Sequence, residues 1–177
     1  VRTEYIITID GPSGVGKSTV ARALARDLGF LYLDTGAMYR AVTLAAVECG
    51  LELDPIDKEA IASLLSRMRL ELDKEGRIHL NGAPVEPRIR DESITRNVSA
   101  VASLTCVRSY LVELQRGFAA LGSLVVEGRD TGSVVFPDAR YKFYLDADPG
   151  ERALRRARQT KKERGKDLSR NEVLEEQ

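Results

Sequence analysis

The chain has no tryptophan, one histidine and two cysteines among 177 residues, and its 27 basic side chains are matched by 27 acidic ones. Each shortage removes a class of function. One histidine and two distant cysteines do not make a zinc site. Cys49 and Cys106 each fall in an apolar helical pattern, which predicts two buried, reduced thiols rather than a disulfide. Balanced charge argues against a general binder of nucleic acid or membrane. No apolar run approaches membrane-spanning length, and the first residues enter a strand with no charged leader or cleavage site. The expectation is a soluble, cytoplasmic protein. It is expected to be a monomer, because no coiled coil or apolar repeat is visible. The length suits one substantial core with a small appended module.

What is present begins at Gly11. Residues 11–18 read Gly-Pro-Ser-Gly-Val-Gly-Lys-Ser, a complete G-x-x-x-x-G-K-[ST] phosphate-binding loop. It follows a strand-like apolar run at 5–10 and opens a helical pattern at 17–28. The glycines let the backbone curl so that N–H groups point inward, and the helix N-terminus adds its positive end. Lys17 is placed for the β- and γ-phosphates, and Ser18 for a nucleotide-bound Mg²⁺. This context predicts a triphosphate site.

Further along, Val20, Leu24 and Leu28 mark the apolar side of the first helix, which stops at Gly29. A short strand at 30–33 ends at Asp34. A second helix starts at Gly36, with Met38, Val42, Ala45 and Cys49 on one face. Asp54-Pro55 reads as an N-cap followed by proline in the first turn of a third helix, with Ile56, Ala60, Ile61, Leu64, Leu65 and Met68 as its stripe. From Arg69 the period becomes twofold. Leu70, Leu72, Ile78 and Leu80 alternate with polar residues, and Asn81-Gly82 signals a hairpin. His79 falls on the solvent side of this alternation. Residues 90–121 read as helix broken near Thr105-Cys106, with Val107, Leu111, Leu114, Phe118 and Leu121 as the later apolar set. Two more strands, at 123–127 and 141–145, precede a basic helix opened by Asp148-Pro149.

Alternating strands and helices predict an α/β fold, a doubly wound, mostly parallel sheet carrying an inserted three-stranded antiparallel module. The core would comprise residues 1–62 and 97–150, the module about 63–96, and a lid about 151–170. Ligands of such sheets sit beyond the carboxyl ends of the strands. The phosphate loop, Asp34, the Gly128-Arg129-Asp130 run and Asp146 should therefore face one cleft.

Several residues there suit phosphoryl transfer, and each also has a plain structural explanation. Arg40 can grip a phosphate bidentately or simply lie on a helix surface. Tyr39 can pack a sugar or fill a gap. Arg129 and Asp130 can be a local ion pair, and Arg108 a solvated arginine. Asp34 can orient metal-bound water or cap the next helix. Between Arg152 and Lys166 lie eight basic residues and one acid, Glu163. This segment, broken by Gly165 and Asp167, can close over a triphosphate.

Two runs are far more specific than the phosphate loop and shift the balance toward function. Asp34-Thr35-Gly36-Ala37-Met38-Tyr39-Arg40, taken with the run from Gly128-Arg129-Asp130-Thr131-Gly132 to Phe136-Pro137-Asp138-Ala139, resembles the bacterial cytidylate kinases from the loop to the lid. The resemblance implies ATP-dependent phosphorylation of CMP and dCMP, with Mg²⁺. It puts the ATP phosphates on Gly11, Pro12, Ser13, Gly14, Val15, Gly16, Lys17, Ser18 and Thr19. Thr35, Tyr39 and Arg40 would line the acceptor site, Arg129 its phosphate, and Ser99, Arg108 and Asp130 the cytosine. Lys17, Arg40 and Arg129 would be catalytic, and Ser18 and Asp34 (through water) would serve the metal. Members usually continue through a further helix, strand and terminal helix, so the C-terminal part of the fold is expected to be missing here. Another P-loop small-molecule kinase, of UMP or shikimate type, is the enzymatic alternative. A nucleotide switch is disfavoured because the chain lacks an Asn-Lys-x-Asp guanine signature, and Asp73-Lys74-Glu75-Gly76 reads as a tight turn.

Overall fold

The computed structural model describes residues 5–73 and 75–164. In chain order the elements are β1 (Ile6–Asp10), α1 (Lys17–Leu28), β2 (Leu31–Asp34), α2 (Thr35–Glu48), α3 (Lys58–Arg67), β3 (Leu70–Leu72), β4 (Ile78–Leu80), β5 (Ala83–Pro84), α4 (Glu92–Ala102), α5 (Thr105–Ala119), β6 (Leu124–Gly128), β7 (Tyr141–Tyr144) and α6 (Pro149–Arg164). Strands β2, β6, β1 and β7 form a parallel sheet in that spatial order. Helix α1 covers one face with Ala21 and Ala25 on Ile7, Ile9 and Val125; the other face, with Leu33, Leu124 and Val126, packs into the larger core with α2 and α5. Covered faces explain why β1 and β6 are apolar almost throughout.

The antiparallel sheet β3-β4-β5 is placed as the alternation predicts, with Leu70 opposite Leu80 and Leu72 opposite Ile78. Asn81 and Gly82 both take positive φ, 51° and 82°, as a two-residue hairpin of primed type requires. Leu70, Ile78, Leu80 and Val85 join the same buried cluster as α2, α3 and α5, so the small sheet is packed onto the central core. Its β3–β4 turn lies against β2: a Cβ at Gly76 would come 2.7 Å from the Tyr32 carbonyl oxygen.

Several expected details are corrected. Val20 and Leu28 are exposed, and α1 buries the neighbouring alanine stripe, whose short side chains let the helix lie close on the sheet. Cys49 is exposed, because α2 ends at Glu48 and leaves Cys49 as its C-cap; Cys106 is half-buried, and both thiols are free. Helix α3 is capped by Asp57, whose carboxylate accepts the amides of Glu59 and Ala60, while Asp54 and Pro55 lie in a turn closed by a Leu53–Ile56 bridge. Leu121 lies beyond the end of α5 and is 65% exposed. Strand β7 is at the edge of the described sheet, with Tyr144 70% exposed. Among the described residues no helix is long and apolar enough to cross a membrane.

Candidate active site

Register brings the chemistry together. In the sheet Asp10 lies opposite Gly128, and Asp34 opposite Glu127, so three acidic strand ends stand side by side at the mouth of the 11–18 loop. The loop is held by close main-chain contacts. Gly11 (φ 147°) would place a Cβ 2.1 Å from the Leu145 carbonyl oxygen, and Gly14 (φ 78°) would place one 2.8 Å from that of Arg152 on α6. No other residue type fits either position without moving backbone. Arg155 donates to the Val15 carbonyl at 3.1 Å, so the described part of the basic helix already touches the loop. Residues 165–170 of the expected lid, Lys166 included, lie outside the described residues. Lys17 Nζ donates to the Pro12 carbonyl at 2.8 Å, which folds the side chain across the loop. Burial lowers its pKa, and Arg129 adds to this, while Glu127, Asp34 and Asp10 oppose it.

Two of the strand-end carboxylates had no place among the expected site residues. Asp10 accepts the Thr131 amide at 2.9 Å, the Thr131 hydroxyl at 2.7 Å and the Gly132 amide at 2.8 Å, which fastens the segment after β6 to the end of β1. Glu127 is 4% exposed, and both its oxygens are engaged. The Tyr32 hydroxyl donates to Oε1, and Ser18 Oγ donates to Oε2 at 3.0 Å. Burial raises the Glu127 pKa and Asp34 adds to this, against the pull of Tyr32, Ser18 and Lys17. A signal for both was available: a carboxylate ending a buried strand requires partners. Asp34 accepts the Ala37 amide at 3.0 Å and so caps α2, the structural role weighed for it.

Beyond the end of β6, Arg108 Nη2 donates to Asp130 Oδ2, and Tyr39 lies within electrostatic range of both. Burial raises the Tyr39 pKa, with Arg108 opposing and Asp130 reinforcing. The fold thus joins α2, α5 and the end of β6 at one point. Arg40 donates to Thr95 Oγ1 at 2.9 Å and to the Ile89 carbonyl at 3.3 Å. Ser99 lies exposed one turn further along α4, and Arg129 is exposed within electrostatic range of Lys17. Thr35 is buried, and its hydroxyl donates to the Glu127 carbonyl at 2.8 Å.

The profile of the cytidylate kinase family matches residues 7–177. The cytidylate kinase of Pelotomaculum thermopropionicum is 51% identical over 154 residues, which span 85% of this chain and 67% of that protein. The cytidylate kinase of Caldanaerobacter subterraneus subsp. tengcongensis is 46% identical over 170 residues, spanning 96% of this chain and 74% of that one. The chain belongs to the cytidylate kinase family. It is therefore a nucleoside monophosphate kinase, and neither the shikimate-type nor the switch alternative stands. The crystal structure of TT1252 from Thermus thermophilus has the same fold, with a TM-score of 0.51 at 22% identity over 99% of this chain and 79% of that one.

The oxygens at the start of α1 and the end of β6 suit a hard divalent cation. Ser18 Oγ and the buried Glu127 carboxylate are adjacent oxygens of the kind such an ion takes as ligands. Among the described residues no group of three or more His, Cys, Asp or Glu side chains is placed to hold a metal unaided. That arrangement fits an ion carried largely by nucleotide phosphates and water. A separate cavity of about 550 Å³ opens between α1, β2 and the small sheet, and of the expected site residues only Asp34 borders it. Its cations are already matched: Arg26 by Asp27, Arg77 by Asp73 and Glu75, and Arg90 by Glu86, while Arg22 stacks over Tyr32.

Proposed function

We propose that this kinase binds MgATP on residues 11–19 and transfers the γ-phosphoryl group to CMP or dCMP held between α2, α4, α5 and the end of β6. The observation that carries the acceptor assignment is the Arg108–Asp130 pair beside Tyr39. A guanidinium and a carboxylate complement the ring acceptors and the amino donor of cytosine, and each would exchange its present partner for the base. Arg129 and Arg40 supply positive charge for the acceptor phosphate, with Arg40 leaving Thr95, and Ser99 adds a hydroxyl to the base site. The antiparallel module would shape the acceptor side and the basic helix would close the donor side.

The acceptor oxygen is already a phosphate oxygen, so no side-chain nucleophile is needed. The chain's own contribution is alignment and charge: Lys17 spans the loop toward the β- and γ-phosphates, and the arginines balance the equatorial oxygens. Mg²⁺ entering with ATP would be held by Ser18 and Glu127, with Asp34 reached through water, and supplies neutralisation of phosphate charge. A cytoplasmic monomer is the setting we propose. The test is ADP release from MgATP with CMP, dCMP, UMP, AMP, shikimate or no acceptor. Turnover confined to CMP and dCMP is expected; acceptor-independent turnover, or none with CMP, would overturn the reading.

A further inference from the structure

Tyr32 belongs to no phosphate-binding or acceptor motif, yet it is bonded directly into the donor site. On β2 it stands opposite Val125, two residues before Glu127 on β6. Side chains two apart on a strand share a face, so Tyr32 and Glu127 are diagonal neighbours, a spacing that a long aromatic side chain spans. The phenol donates to Glu127 Oε1, while the other carboxylate oxygen accepts Ser18 Oγ at 3.0 Å. Ser18 opens α1 at the end of the phosphate-binding motif and Tyr32 lies on a strand whose sequence reads only as core, so the carboxylate bonds the start of α1 to the middle of β2.

The ring itself is braced. Arg22 on α1 lies over it, its guanidinium carbon 5.2 Å from the centroid, and the Gly76 turn closes on the Tyr32 carbonyl. Glu127 is nearly fully buried, and a carboxylate there with one oxygen unpaired would reorient to share its remaining donor.

We propose that Tyr32 is a positioning residue of the donor site, fixing the Glu127 carboxylate through one oxygen so that the other is presented at Ser18 and the bound metal–nucleotide. The inference rests on the donor-site reading of Ser18 and Glu127. It predicts a specific defect: loss of the phenol hydroxyl weakens nucleotide binding only when Mg²⁺ is present.

Calorimetric titration of ADP, with Mg²⁺ and separately with a chelator, reads this directly. Tyr32→Phe should lower the ratio of metal-bound to metal-free affinity about tenfold, the scale of one hydrogen bond to a charged group. Each variant serves as its own metal-free control, so a change in overall stability leaves the ratio readable. Glu127→Asp, which draws the carboxylate back from the phenol, should lose the same increment. In a Glu127→Gln background, Tyr32→Phe should have no further effect on kcat. An unchanged ratio in Tyr32→Phe overturns the inference, as does an equal loss with and without Mg²⁺. If the parent enzyme itself shows no metal-dependent increment, the donor-site reading fails and this inference fails with it.

Discussion

The two halves of the cleft are built by different means. On the donor side the main chain sets the shape: Gly11 and Gly14 pack against carbonyl oxygens of Leu145 and Arg152, and buried Asp10 and Glu127 receive bonds from several segments. On the side proposed for the acceptor the contacts run between side chains: Arg108 to Asp130, 41% and 35% exposed, and Arg40 to Thr95. A cradle for phosphate can be rigid because every triphosphate presents the same oxygens, and preorganised dipoles cost no reorganisation during transfer. A site that must tell one base from another uses groups that pair with each other until the ligand replaces them.

The largest effect should come from breaking the donor half. Lys17→Ala removes a cation that lies across the loop, and turnover should fall by about a thousandfold or more in an ADP-release assay. A variant retaining a tenth of parental turnover would remove Lys17 from the transfer step. Gly11→Ala tests the claim that main-chain fit sets the loop. At φ 147° and 2.1 Å from Leu145 O it should cost at least about 2 kcal/mol of stability in urea unfolding, with loss of turnover. Unfolding at the parental midpoint would show that the loop relaxes more cheaply than its packing implies.

Asp130→Ala sharpens the contrast from the other side. It should leave the unfolding midpoint close to that of the parent, since the Arg108 pair is partly exposed, and reduce discrimination between CMP and UMP by about 10- to 100-fold. Unchanged discrimination would remove Asp130 from base reading. A large loss of stability would show that the acceptor half is as structural as the donor half.

Much of this was legible from residue order alone. Loop flanks, the order of strands and helices and the Asn81-Gly82 hairpin all agree with expectation. What was missed has a common cause: period and motif do not fix phase or partners. Val20-Leu24-Leu28 and Ala21-Ala25 have the same spacing, and the closer approach available to alanine decided which stripe faces the sheet. Asp54 and Asp57 are both plausible caps, and only Asp57 stands directly before the helix and accepts two of its amides. Glu127 and Tyr32 looked like the end and the middle of buried strands, and their bond depends on the β2–β6 register, which no local pattern contains.

The smallest effect tests whether the antiparallel module stands apart from both halves. Asp73, at the β3–β4 turn, accepts the Arg77 amide at 2.8 Å and Arg77 Nε at 2.7 Å, with His79 Nε2 at 3.0 Å. Against partial burial, these bonds hold its carboxyl well below the usual carboxylate range. A depressed folded-state pKa means that the carboxylate's contribution is complete above the unfolded value near 4 and is lost as pH falls below it toward the folded value. Asp73→Asn should therefore destabilise the protein by about 1 kcal/mol at pH 7, and the gap between variant and parent should close only in strong acid. The KM for CMP should not move, because among the described residues the Asp73 carboxylate bonds to Glu75, Arg77 and His79 and to none of the residues proposed for the acceptor. A raised KM would tie the turn to the acceptor half through the Gly76–Tyr32 contact, and the division between the two halves would then run through β2 rather than through the cleft.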